Sequence, residues 1–485
     1  MDSCTALPWP SVFAVGGAPG GNQRPGRDER TQPVSSESGQ GGLRRDGPSE
    51  ESEWAHTATE PRVEFLKTLA RELAPLGQTA AELTAQLAAC AAGLGVYAQF
   101  FVLPSMVQII YEEFGEEHIA FVPVGRGTVD LESQALLESV AVSVGKGWIS
   151  PQAGTRRIEA LVAQRPRFPL WLRLTAGGLG PSAVALLLGG GPREAVAAMG
   201  IGLAVAVFHG LARRSGRLEG LLELSSAAFA ACLALLLGHF MQRFDATAVV
   251  LASIVQLLPG LRITQGVSEL AAGDLVCGTA RLAGAGMTLL NLSIGVTFTW
   301  TVFHRLHEFP VLGGAHGATM AMLALAVIGA ALAFSVSENA RSRDVGWVFV
   351  AVIVATIASR VGVWALGTTL GVGIASLAVG LAGNVYSRYL HHPKSTITVP
   401  GLTVLVPGAL GFKGVFSLVS KGGPGSVKVL VTTLLLAVAL VVGSTIAEAI
   451  VAPRTVSTRV IDPIPLPPRL PRLGRRGRSS GRAPK

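Results

Sequence analysis

The chain has 485 residues, 49% hydrophobic and 15% charged, with 40 Lys and Arg against 31 Asp and Glu for a formal net charge of +9. Soluble proteins carry roughly 25% charged residues, and here the apolar excess is concentrated from about Arg173 to Pro453, which excludes a water-soluble globular fold and places that block in lipid. The arginines stand beside apolar segments and in the C-terminal tail, so the positive charge points to a membrane surface and not to nucleic acid.

In chain order, residues 1–60 are rich in Gly, Ser, Pro, Glu and Arg without apolar periodicity. Such a segment cannot bury enough surface to offset its chain entropy and is expected to be disordered. Asp2 stands where a signal peptide needs positive charge, and Pro8 and Pro10 break the apolar stretch that follows, so no cleaved signal is expected. From Pro61 onward, Phe65, Leu66, Leu69 and Leu73, then Leu83, Leu87 and Leu94, recur at helical spacing. The interruption near Pro75 and Gly77 divides them into two amphipathic helices. Apolar, partly alternating runs at 96–103, 106–111 and 118–124, separated by Pro104 and the acidic stretch 112–117, predict a small β-meander. Helices are predicted at 131–144 and 151–164, the second with Ser150 as N-cap and Pro151 in the first helical position. Residues 61–170 are read as a cytosolic α/β domain.

The membrane block divides into apolar segments at about 173–190, 195–210, 220–238, 246–260, 276–303, 318–337, 345–358, 363–383, 397–411 and 427–452. The connections on one side collect Arg156, Arg157, Arg165, Arg167, Arg213, Arg214, Arg217, Arg341, Arg343, Arg388, Lys394 and the Arg-rich tail. The other side has Arg193, Arg243, Arg305, Arg360, Lys413 and Lys421. By the positive-inside rule both termini are cytoplasmic. The tail 453–485, rich in Pro and Arg, is expected to lie disordered against anionic lipid.

Two segments match without a gap: LLPGLRITQGVSEL (257–270) and LVPGALGFKGVFSL (405–418). Pro259 pairs with Pro407, Gly260 with Gly408 and Gly266 with Gly414, at an offset of 148 residues that carries the first five apolar segments onto the second five. The fold predicted is an all-α membrane protein of ten transmembrane helices in two five-helix repeats, 171–310 and 311–452, preceded by the small α/β domain. An odd number of spans per half forces the copies to be inverted, an architecture that recurs in secondary transporters because opposed halves can rock about a central site.

The Pro-Gly pairs locate a candidate substrate site. Proline removes an amide donor and the following glycine lets the chain leave helical geometry, so helix ends are freed to bind the carboxylate and ammonium of an amino acid. Termination of ordinary helices at the interface explains the same prolines equally well. Gln256, Pro259, Gly260, Thr264 and Gly266 gather at the first break, Pro407, Gly408 and Gly414 at the second, with Asn291 and Asn384 elsewhere among the few polar groups of the block. Ionisable groups inside lipid are costly and mark pathways, which makes Glu269, Asp274, Arg281 and Glu448 candidates for proton coupling, with solvation near the cytosolic interface as the competing reading.

Other chemistry finds little support. Cys4, Cys90, Cys232 and Cys277 form no CxxC pair and lack histidines at ligand spacing, so neither a metal nor a disulfide framework is indicated, and no cofactor is expected. No GxxxxGK[ST] loop occurs, which leaves an ion gradient as the means of moving solute uphill. Residues 61–170 hold one histidine, His118, and no GxSxG elbow, so a gating or regulatory module suits them better than a hydrolase. A passive channel, a carrier of another solute, and a membrane-anchored enzyme or regulator acting through this domain remain open on these residues.

The stretch 145–198, GKGWISPQAGTRRIEALVAQRPRFPLWLRLTAGGLGPSAVALLLGGGPREAVAA, resembles the junction of the threonine/serine exporter family, which includes a fungal pheromone-regulated membrane protein. Gly77-Gln78-Thr79 and Gly95-Val96 resemble segments of that family's cytosolic domain, and the likeness covers about 62–452. The resemblance implies export of threonine and serine driven by the proton-motive force, with the amino acid and protons as partners and a homo-oligomer as a possible assembly. The Ala, Gly, Val and Arg bias resembles high-GC bacterial proteins, which implies a bacterial inner membrane.

Overall fold

The computed structural model describes residues 50–452 except 114, 126, 128, 164–166, 215–218, 241–244, 307–318, 391, 406–407 and 421–422. Helix α1 (Glu50–Leu73) begins upstream of the composition change at Pro61 and carries that proline within it; Phe65, Leu66, Leu69 and Leu73 are fully buried on one face. A short 3-10 turn closes at Gly77, whose φ of 87° suits only glycine comfortably. Helix α2 (Ala80–Gly93) then starts with a capping box: Glu82 N donates to Thr79 Oγ1 and Thr79 N donates to the Glu82 carboxylate.

Strands β1 (Ala98–Leu103), β2 (Met106–Glu113) and β3 (Glu116–Pro123) form the predicted antiparallel meander in the order β1-β2-β3. The register pairs Phe100 with Ile109 and Val107 with Val122, so these four share the buried face. Helices α3 (Leu131–Gly145) and α4 (Pro151–Val162) follow, capped by Asp130 and Ser150, whose side chains accept from Ser133 N and Ala153 N. Leu87, Leu137, Val140 and Ile158 join Phe65 and Phe100 in one apolar core.

The remaining helices are α5 (Leu170–Leu187), α6 (Pro192–Arg214), α7 (Leu222–Phe240), α8 (Ala246–Ser253), α9 (Gly260–Ala271), α10 (Leu275–Leu306), α11 (Met320–Ser337), α12 (Val345–Leu390), α13 (Ser395–Leu405), α14 (Gly408–Ser420) and α15 (Pro424–Ile450). By length and composition, 8 described segments are long and apolar enough to cross a membrane, or 9 when the bent pair α8 and α9 counts as one. That is fewer than the ten predicted, and the difference arises in α12, where two of the predicted segments are two helices joined at a kink and count as one.

Gly367, inside α12, has φ 78° and ψ 175°, and the chain reverses there. In a continuous helix Gly362 and Gly371 would lie about 13 Å apart at 1.5 Å per residue, yet a Cβ on Gly371 would stand 2.3 Å from Val363 N. We expect Gly371→Ala to wedge these backbones apart and cost about 1–3 kcal/mol. Its thermal midpoint in detergent should fall by several degrees, whereas Gly284→Ala, which would put its Cβ in open space, should leave the midpoint unchanged.

Helices α5 and α11 end alike, 150 residues apart. Leu188 N donates to Val184 O, Gly189 N to Leu186 O and Gly190 N to Ala185 O; Glu338 N donates to Phe334 O, Asn339 N to Val336 O and Ala340 N to Ser335 O. Gly189 (φ 90°) and Asn339 (φ 50°) hold the same left-handed position. The two helices run in opposite directions, because Arg167, just before α5, donates to Ser342, just after α11, at 2.6 Å.

Candidate functional site

Helix α8 ends at Ser253, a 3-10 turn covers Val255–Leu257, Leu258 is extended, and α9 restarts at Gly260 with Pro259 at its N-cap. The axis bends by 44° across this break. The matching segment of the second half holds α13 and α14, described to Leu405 and again from Gly408, which is buried; Pro407 lies outside the described residues. Corresponding positions also pack alike. A Cβ on Gly266 would lie 2.9 Å from the Leu282 side chain, and one on Gly414 would lie 2.9 Å from Leu430, 148 residues further on. Ile263 and Gly411 correspond at the same offset and meet each other, with a Gly411 Cβ 3.9 Å from Ile263 Cδ1. The two restarted helices therefore face one another through equivalent residues.

Polar groups cluster unequally about the breaks. Gln256 donates to Ala176 O on α5 at 3.1 Å and occupies the space that a Cβ on Gly180 would need, with Ala333 of α11 beside it. Thr264 is buried and its hydroxyl donates to Gly260 O at 3.4 Å. Thr403, near the end of α13, lies 3.3 Å from a carboxyl oxygen of Glu338. Asn291 is half-buried on α10. Asn384 is buried with its Nδ2 unpartnered, but it stands near the start of α13 and not at the break, since Gly383 beside it abuts Thr398.

The ionisable candidates gather where α9 and α10 meet the N-terminal α/β portion. Glu269 is 2% exposed, accepts from Ala80 N at 3.0 Å and pairs with Arg281 Nε at 3.0 Å. Arg281 also donates to Gln265 Oε1 at 2.8 Å and to Gln78 O at 2.7 Å, and Gln265 donates to Gly77 O. Asp274 accepts from Cys277 N at 3.2 Å, capping α10, and Cys277 Sγ donates to Val102 O. These groups thus hold the Gly77–Ala80 loop and β1 against the start of α10.

A second tie uses Glu448. Lys394 Nζ lies 2.7 Å from Glu448 and 2.8 Å from Glu82 of α2. Burial pushes Glu82 up, but Lys394 outweighs it and holds the carboxyl below the usual range. Lys394 is in turn raised by Glu82 and Glu448 against its own burial. A third tie joins α3 to the end of α11, where Leu131 N and Glu132 N donate to Glu338 O and Asn339 O, and Asn339 Nδ2 donates to Asp130. Behind the first tie, Gln78, Gln86 and Gln134 all donate to Glu138 Oε1, and burial, outweighing these bonds, keeps that carboxyl above its ordinary value.

Glu82, Glu138, Glu338, Thr403 as a partner of Glu338, and Lys394 as an ion-pair centre are absent from the sequence-derived candidates. A usable signal existed for Glu338 alone, an acid set immediately after an apolar run of 18 residues. No group of three or more His, Cys, Asp or Glu fit to hold a metal occurs among the described residues.

A model described as a putative threonine/serine exporter matches residues 64–303, and a second threonine/serine exporter model matches 320–450, the two dividing between α10 and α11. Pheromone-regulated membrane protein 10 of Eremothecium gossypii is 26% identical over 342 residues, 66% of this chain and 44% of its own. The protein of that name in Candida albicans is 24% identical over 368 residues, 73% of this chain and 33% of its own. An uncharacterized protein of Schizosaccharomyces pombe is 22% identical over 370 residues, 73% of this chain and 44% of its own. The chain thus spans less than half the length of these relatives. No solved structure matches.

Proposed function

Because the chain belongs to the threonine/serine exporter family, we propose that it carries threonine and serine out of the cell across a bacterial inner membrane in exchange for protons. The observation that carries this reading is the broken helix at Pro259-Gly260, with α9 and its sequence counterpart α14 meeting through Ile263 and Gly411. Helix termini freed inside a bilayer offer amides to a carboxylate and carbonyls to an ammonium, the two charges every free amino acid carries. Gln256, Pro259, Gly260, Thr264, Gly266 and Asn291 form one side of the proposed site, and Pro407, Gly408 and Gly414 the other, without Asn384.

Counting α12 as two spans about Gly367, and each broken pair as one, gives ten spans in two halves of five. The opposed directions of α5 and α11 and their matched ends support inversion of the second half. Both termini are then cytoplasmic, and residues 61–170 form a cytosolic module. Its three ties reach α9 and α10 in the first half and α11, α13 and α15 in the second. Rocking of one half against the other requires at least one tie to break, which suits a gate.

The test is labelled-threonine flux in liposomes containing the purified chain, with and without an imposed pH gradient. Saturable flux with counterflow, accelerated several-fold by the gradient, is expected. Unsaturable flux indicates a channel, and absence of flux from folded protein for both threonine and serine overturns the substrate assignment.

A further inference from the structure

Glu338 follows α11 directly, is 8% exposed, and has one carboxyl oxygen, Oε2, buried without a hydrogen-bond partner. Its Oε1 lies 3.3 Å from Thr403 Oγ1, which is also 2.7 Å from Val399 O. A threonine hydroxyl has one proton to give. With that proton on Val399 O at the shorter distance, the contact to Glu338 is a hydrogen bond only when the carboxyl is protonated and donates. Ionisation reverses the arrangement, for the Thr403 hydroxyl must then turn to the carboxylate and release Val399 O.

Among the described residues, the surrounding elements bring no cation against the carboxyl. The start of α3 supplies Asp130, which holds Asn339, and Glu132, which is paired with Arg167. The turn after α11 supplies Arg341 and Asp344, the latter accepting from Tyr386. Helix α13 has no charged residue between Ser395 and Leu405, and α5 has Arg173 alone, in its first turn. Apolar Leu131, Val348, Val399 and Val404 fill the rest. Burial pushes the Glu338 carboxyl up to about 8, offset only by the Thr403 hydrogen bond.

We propose that Glu338, rather than Glu269, Asp274, Arg281 or Glu448, takes up and gives back the coupled proton, and that Thr403 is the positioning residue that passes its charge state to α13. The proton is released to water, leaving a carboxylate that accepts from Thr403. In the same step Val399 O loses the hydroxyl's bond and keeps only its backbone bond within α13. This inference rests on the proton-coupled reading above.

The experiment uses the full chain in liposomes. Glu338→Gln is expected to retain threonine counterflow while losing the several-fold acceleration by a pH gradient. In infrared difference spectra between pH 7 and 9, the protonated-carboxyl band that wild type loses should be missing from Glu338→Gln. Thr403→Val removes a group that favours the charged form, so its pH midpoint should move upward. A Glu338→Gln protein that follows the gradient like wild type overturns the assignment. Should that variant fail to fold, an unmoved midpoint in Thr403→Val overturns it instead. A wild type insensitive to the gradient yet showing the infrared band would sink the coupling reading while leaving Glu338 as the titrating group.

Discussion

Glu269→Ala is expected to destabilise the protein by about 3–5 kcal/mol, the range for removing one partner of a buried ion pair. The loss leaves Arg281 without its carboxylate and Ala80 N without an acceptor, at a site where Glu269 is 2% exposed. Arg281→Met should cost a similar amount, because it strands the Glu269 charge and also frees Gln78 O and Gln265. The double variant should be less destabilised than the two losses added, as the remaining groups are neutral. Thermal unfolding in detergent of the two single variants and the double variant checks this, and strictly additive losses would show that the pair acts as two independent contacts. Limited proteolysis gives a second readout: cleavage within 77–80 should accelerate in the variants if this pair holds the loop in place.

The second large effect is expected on flux. Gly260→Val places a β-branched side chain at the buried first residue of the restarted α9, and Gly408→Val places one at the corresponding buried position of α14. That side chain obstructs the approach of substrate to the freed helix end and stiffens the break. Threonine flux should fall to the background of empty liposomes in both variants, while membrane insertion and the size-exclusion profile stay those of wild type. Normal flux in both would remove the site from the breaks. Loss in only one would assign the substrate to that half alone.

Much of this architecture is legible in residue order because it depends on local chemistry. Thr79 and Glu82 three apart, Ser150 before Pro151, and the alternation through 98–123 each dictate their element without reference to distant chain. The Pro-Gly repeat marks a break for the same reason. Other features escape a one-dimensional reading. The 148-residue offset of the breaks becomes 150 at the ends of α5 and α11, where Asn339 replaces Gly189, so identity is lost while the hydrogen-bond pattern persists. The acids on α9 and α15 look in sequence like charges stranded in lipid, but Glu269 and Glu448 have partners far along the chain, on the Gly77–Ala80 loop and on Lys394.

The sequence by itself determined the membrane class, the order of helices and strands, and the position of the break at Pro259, because each follows from hydropathy, helical or strand period, and the stereochemistry of proline and glycine over a few neighbouring residues. Tertiary structure alone decided which charges are paired, that the N-terminal α/β portion is tied to both halves, and that Glu338 faces Thr403. Those contacts join residues from tens of positions to more than 200 positions apart, and their energies depend on burial and distance, which residue order does not encode locally.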